Sequence, residues 1–311
     1  MDTPAPGMKR RSEPSVFLKI VAWLSFLLNV IIIGTGGAVR LTGSGLGCPT
    51  WPLCTSDSLV PTQELSWHSL IEFGNRTISG PILVSAILVF ILSLMLRRYR
   101  KDLLVLSAIV LGLVVLQAVV GGVIVWLHLN ANLVGFHYVV SLILVCITAA
   151  FLARMYEPPV TRERVVPGPY AVLTHLTSLF VAVTVFVGVL TTGAGPHSGD
   201  ANIERDGFDA SLLAHIHAWP GYITLALVFA ITVWAVIAKL RPARWSIMLL
   251  VAMIVQIGVG VYQARTGLPP LAVGIHMVLA SLTAAAMTLV VLRMKRPVAA
   301  VAQSQPPVSG V

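Results

Sequence analysis

The sequence predicts an all-α polytopic membrane protein of eight transmembrane helices, arranged as two four-helix bundles related by a parallel duplication. Three observations carry this. Of 311 residues, 57% are hydrophobic and 11% charged, against the roughly one-quarter charged residues of soluble domains. Eight apolar runs reach the ~20 residues a helix needs to cross a bilayer, and motifs in the first half recur in the second. The formal net charge of +9 does not describe a nucleic-acid surface, because Lys and Arg sit in short clusters between the apolar runs.

The first run, 16–39, is long enough to span and is read as a retained helix rather than a cleaved signal peptide. The others fall near 68–96, 103–127, 132–154, 170–191, 210–238, 243–263 and 271–292. This divides the chain into a tail (1–15), a first four-helix half (16–154), a linker (155–169), a second half (170–292) and a second tail (293–311). Within the tails, Met1 to Pro14 and Pro297 to Val311 are expected to be disordered by composition. Basic clusters at Lys9 to Arg11, Arg97 to Lys101, Arg154 to Arg164, Lys239 to Arg244 and Arg293 to Arg296 mark alternate helix ends. The positive-inside rule makes these ends cytoplasmic, both termini included. The weakly charged 42–67 and the acidic 192–209, with Asp200, Glu204, Asp206 and Asp209, then face outward.

The duplication is read from Val134-Gly135-Phe136-His137 beside Val273-Gly274-Ile275-His276, a spacing of 139 residues at which Gln117 also meets Gln256 and Gly121 meets Gly260. Leu41 to Gly45 echoes Thr191 to Gly195. Four spans per half is an even number, so the halves enter the membrane in the same direction and equivalent residues share a depth. A fainter echo sets Glu72 to Arg76 beside Ala214 to Ala218 and pairs Asn75 with His217. Asn75, His137, His217 and His276 then form one layer, on the order of 10 Å below the outer surface at 1.5 Å per residue.

An isolated intramembrane histidine more often bonds a neighbouring helix or lines a water pocket. Two at equivalent sites, with a third in the same layer, suit an axial pair holding a flat macrocycle between helices. Zinc fits less well, since no cysteine joins them in the layer. His217 is preferred to His215 because it aligns with Asn75, although His215 remains an alternative ligand. His68, His128 and His175 read as interfacial, and His197 is ambiguous. Glu72 suits either an interfacial carboxylate favoured by the helix dipole or a proton-handling group one turn from the layer. Arg40 and Arg76 could meet haem propionates or snorkel. Cys48 and Cys54, in one outer loop, can persist as a disulfide, with a structural or a redox role. Cys146 reads as packing.

Taken together, Leu41-Thr-Gly-Ser-Gly-Leu-Gly-Cys48 with Cys54, Ile71-Glu72-x-x-Asn75-Arg76, Gly135-Phe136-His137, His217 and Gly274-Ile275-His276 resemble the haem A synthase family over about residues 16 to 292. The resemblance implies oxidation of the C8 methyl of haem O to the formyl group of haem A for terminal oxidases. It implies a haem b iron ligated by His217 and His276 in the second half, with substrate haem O in the first half on His137. Glu72 would match the catalytic acid, and Cys48 and Cys54 the outer-loop cysteine pair. Implied partners are the enzyme that makes haem O, an electron-transfer partner and membrane lipid, with no nucleic acid; homo-oligomerisation is left open. The chain departs from the family pattern in one position, carrying Asn75 where Glu-x-x-His is usual. Asn is a poor iron ligand beside imidazole, so the expectation is that His137 alone holds the substrate haem, with the sixth position open or water-filled. The 192–209 loop also lacks the second cysteine pair of some members. The competing readings are an electron-transfer cytochrome b, which would favour two saturated bis-His sites without need of Glu72, and a transporter.

Overall fold

A computed structural model describes residues 13–62, 66–196, 199–200 and 209–298. It contains eight helices long and apolar enough to cross a membrane: α1 (Val16–Leu41), α2 (Trp67–Met95), α3 (Lys101–Trp126), α4 (Ala131–Met155), α5 (Gly168–Ala194), α6 (Ala210–Ile237), α7 (Ala243–Arg265) and α8 (Pro270–Arg293). The chain is a multi-pass membrane protein. Each end lies within three residues of the sequence expectation, because the apolar runs stop where local chemistry can satisfy the last backbone groups. Ser15 caps α1 by accepting from the Leu18 amide at 3.1 Å. Asn130 accepts from the amides of Asn132 and Leu133 at the start of α4, and Asp209 does the same for Ser211 and Leu212 at α6.

Side chains are distributed as lipid solvation requires. Ile20, Val84, Phe229 and Val251 are exposed, while Ser25, Asn29, Ser107 and Thr148 are buried. With hydrocarbon outside, apolar residues gain nothing by turning inward, so small and hydroxyl side chains occupy the helix contacts. Buried hydroxyls return to their own helix, as Thr148 does to the Leu144 carbonyl and Thr232 to that of Val228.

In the first half α1 touches α2 and α4, and α3 touches α2 and α4, whereas α2 and α4 lie on a diagonal. The second half repeats this square, with α6 and α8 on the diagonal. The halves meet along α4 and α8, flanked by α1 against α8 and α4 against α5. At this seam the Tyr138 hydroxyl donates to the Met277 carbonyl at 3.0 Å. Tyr138 and Met277 each follow one of the repeat-equivalent histidines, so the bond holds the two histidine-bearing helices at one level. Ile33, Leu142, Val145, Ala149 and Ala285 pack around the seam.

Two short strands were not expected from the sequence. Arg162–Arg164 (β1), in the linker, pairs antiparallel with Lys295–Pro297 (β2), after α8. Disorder was expected from Pro297 onward, and Pro297 is paired in β2. Pairing partners more than a hundred residues apart leave no local periodicity to read. Beside the strands, Glu157 accepts from Arg162 and Arg241 at 3.3 and 2.9 Å and also from Arg293, with Arg154 at 3.5 Å. One carboxylate thus ties the end of α4 to the linker, the α6–α7 turn and α8. Residues 1–12 and 299–311 of the tails, and His197, Glu204 and Asp206 of the acidic loop, lie outside the described residues.

Candidate haem-binding layer

The diagonal helices of the second bundle bring His217, on α6, opposite His276, on α8. Their ring centres are 6.3 Å apart and their planes cross at 79°. Metal–imidazole bonds are about 2.0 Å, so an iron atom bonded to one nitrogen of each ring would separate the ring centres by about 6 Å. The Nδ1 atoms of both residues are buried and have no protein partner, an arrangement that costs free energy unless something else satisfies them. The donor set and spacing fit a haem iron. No group of three or more His, Cys, Asp or Glu side chains converges among the described residues, which separates this pair from a closed metal-ligand cluster.

Glycines on the preceding helices make room for the rings. A Cβ at Gly188 would come 2.8 Å from Cε1 of His217, and one at Gly260 would come 3.0 Å from Cε1 of His276. Gly260 was visible as a repeat position, but Gly188 has no echo and its role is a cross-helix contact. Gln256 is hydrogen-bonded through Nε2 to Nε2 of His276 at 3.2 Å. His215 is exposed and its Nδ1 donates to the Ser211 carbonyl one turn back, so His217 is the residue of the pair that faces His276.

The first bundle has the same frame with different contents. His137, on α4, is partly buried with an unpartnered Nδ1, and a Cβ at Gly121 would lie 3.8 Å from its Cε1. Gln117 donates to the His137 carbonyl at 2.8 Å and to the Ser141 hydroxyl at 2.6 Å, gripping the backbone where Gln256 grips a ring. Across the diagonal, on α2, stands Asn75. Its Oδ1 accepts from the Thr35 hydroxyl of α1 at 2.8 Å. This layer therefore offers one imidazole and one amide.

Glu72, one turn before Asn75, is buried. Its Oε2 accepts from the Cys48 amide at 2.8 Å and its Oε1 from Nε of Arg76 at 3.1 Å. Arg76 also donates to the carbonyls of Thr50, Leu53 and Cys48, at 2.8, 3.2 and 3.0 Å, so every nitrogen of its guanidinium is engaged by Glu72 or the loop between α1 and α2. Cys48 and Cys54 form a disulfide inside that loop, both fully buried. Trp51, between them, packs on α3: a Cβ at Gly122 would meet its ring at 2.6 Å, and Trp126 meets it edge-on at 5.7 Å. The cysteine spacing was legible in sequence; that the loop is fastened by Glu72 and Arg76 was not. Arg40 reaches the other half and donates through Nη2 to the Thr192 carbonyl. His68 bonds the Ser44 hydroxyl at 3.0 Å, while His128 and His175 are exposed.

A family model described as cytochrome oxidase assembly protein matches residues 19–201. That stretch contains α1 from its fourth residue onward, all of α2 to α5, and every first-bundle residue named in this layer. Among curated relatives, a protein named Heme A synthase from Staphylococcus saprophyticus subsp. saprophyticus is 33% identical over 181 residues, 55% of this chain and 59% of the relative. A Heme A synthase from Staphylococcus epidermidis is 27% identical over 234 residues, 71% of this chain and 75% of the relative. One from Macrococcus caseolyticus is 34% identical over 141 residues, 44% and 46% of the two chains. The chain thus spans about three-fifths of the length of the Staphylococcus saprophyticus relative.

Proposed function

The chain belongs to the cytochrome oxidase assembly protein family, and from that premise we propose that it is a haem A synthase, oxidising the C8 methyl of haem O to the formyl group of haem A. The observation that carries this reading is the inequality of the two bundles. One diagonal holds two facing imidazoles 6.3 Å apart; the other, at the corresponding positions, holds His137 and an asparagine amide tied to Thr35. An electron-transfer cytochrome would favour two saturated sites. An oxidase needs an accessible iron position, and a closed site beside it suits the delivery of electrons.

In this proposal His217 and His276 hold haem b, and His137 holds the substrate haem. Bound on these residues, haem would supply an iron able to pass electrons and to activate oxygen. Gly188 and Gly260 leave the second-bundle imidazoles their places, and Gln117 fixes the backbone that presents His137. Glu72 handles a proton beside the reacting methyl. Its carboxylate is held by the Cys48 amide and the Arg76 guanidinium, and charge-assisted hydrogen bonds of this kind are the strong ones. The disulfide loop covers the first bundle, with Trp51 seated on α3, and restricts water from the outer side. Arg76 anchors this loop, and Arg40 spans the seam between halves. Basic clusters at alternate helix ends support an orientation with both termini in the cytoplasm and the haem layer toward the outer face.

The deciding experiment supplies haem O to cells expressing the chain, then extracts pigment for mass analysis. A formyl haem is the expected product. A haem-loaded preparation, given reductant and oxygen, that leaves haem O unchanged would overturn the assignment in favour of an electron-transfer cytochrome.

A further inference from the structure

Resting on the reading of the first bundle as a substrate-haem site, we propose that Asn75 is a hydrogen-bond donor to a small oxygen-containing ligand on the iron opposite His137, and that Thr35 aims it. A carboxamide has one accepting end and one donating end. Thr35 donates to the accepting end at 2.8 Å, which turns the carbonyl toward α1. The plane of the amide then carries Nδ2 away from α1, and no described residue accepts from it.

The position of Asn75 says where that donor belongs. Its counterpart His217 faces a histidine across the diagonal of the second bundle, and Asn75 stands on the corresponding diagonal from His137. The fit against the neighbouring helix also differs. The His217 ring is so close to α5 that a Cβ at Gly188 would clash at 2.8 Å, whereas a Cβ at Gly36 would lie 3.7 Å from Oδ1 of Asn75, an ordinary contact. The amide is shorter than an imidazole and leaves the room that a second ring would take. An amide is a weak iron ligand, but donors in this position govern whether a haem binds and retains small ligands. The ligand class is thus a diatomic or a water or hydroxide molecule, stabilised by one N–H.

The test uses the full-length, haem-loaded protein in detergent, with carbon monoxide on the reduced form and cyanide on the oxidised form. In Asn75→Leu the C–O stretch should move to higher frequency and cyanide affinity should fall about tenfold, the worth of one such hydrogen bond. Haem content and the low-spin spectrum of the second bundle should not change. Thr35→Val should shift the stretch in the same direction by less, because the amide stays but is no longer aimed. Asn75→His should give a second low-spin haem that excludes carbon monoxide. If Asn75→Leu leaves both the stretch and cyanide affinity as in the parent while Asn75→His excludes carbon monoxide, the donor role is overturned and the open iron position stands. A loaded parent protein that binds neither ligand would overturn the open position itself, and the donor with it.

Discussion

A glycine beneath each second-bundle imidazole is the finest-grained feature of the layer, and it is sharply testable. Gly188→Ala places a Cβ 2.8 Å from the His217 ring, closer than van der Waals contact permits, with the offending atom part of a ring wedged between helices. Under the proposed ligation it should abolish the low-spin haem spectrum of the purified protein, as His276→Ala should. A Cβ at Gly121 would lie 3.8 Å from the His137 ring, an ordinary contact, so Gly121→Ala should retain haem. Glu72→Gln keeps the size of the side chain but replaces a carboxylate that accepts from both Cys48 and Arg76. The expected result is an intact low-spin spectrum with haem O turnover reduced at least ~100-fold, the usual worth of a positioned acid or base. Full activity in Glu72→Gln would remove it from the chemistry. At this scale the sequence singled out the residues to which the proposed function assigns roles, since histidine and glutamate are conspicuous in apolar helices. It could not identify Gly188, Thr35 or Gln256 as their partners, because each works through a side chain on another helix.

Among the elements, the outer loop and the linker show how short segments are held by single ionised groups. The loop containing the Cys48–Cys54 disulfide is held on α2 by Arg76 and Glu72, and on α3 by Trp51 against Gly122. Arg76→Met should release it, read as faster reduction of the disulfide by added thiol, while the helices remain folded. At the opposite end, Glu157 gathers four arginines from separate segments. Removing the one carboxylate from a partly buried cluster leaves its arginines uncompensated, so Glu157→Gln should destabilise the protein by about 1–3 kcal/mol, measured as a lower thermal midpoint in detergent. The boundaries of α1 to α8 were legible because hydrocarbon allows only helices and the runs are long. The β1–β2 pair was not, because Arg162–Arg164 and Lys295–Pro297 are polar, three residues each, and lie more than a hundred residues apart in sequence.

For the molecule as a whole, the prediction concerns orientation. The positive-inside rule places Arg98 in the cytoplasm and the α7–α8 turn outside. Arg98→Cys should therefore react with a membrane-impermeant thiol reagent only after cells are permeabilised, and Thr266→Cys should react before. The reverse pattern would invert the topology and move the haem layer to the cytoplasmic face. What the sequence by itself determined is the medium, the eight spans and the duplication, together with the inequality of Asn75 against His217. Each of these follows from the composition of single segments or from comparing two of them. Only the tertiary structure decided that His217 faces His276 at 6.3 Å, that Thr35 engages Asn75, and that Glu72 and Arg76 fasten the disulfide loop. These contacts depend on how helices are rotated and crossed, which lipid-facing hydrophobicity scarcely constrains, because an apolar side chain is as well solvated by lipid as by its neighbour.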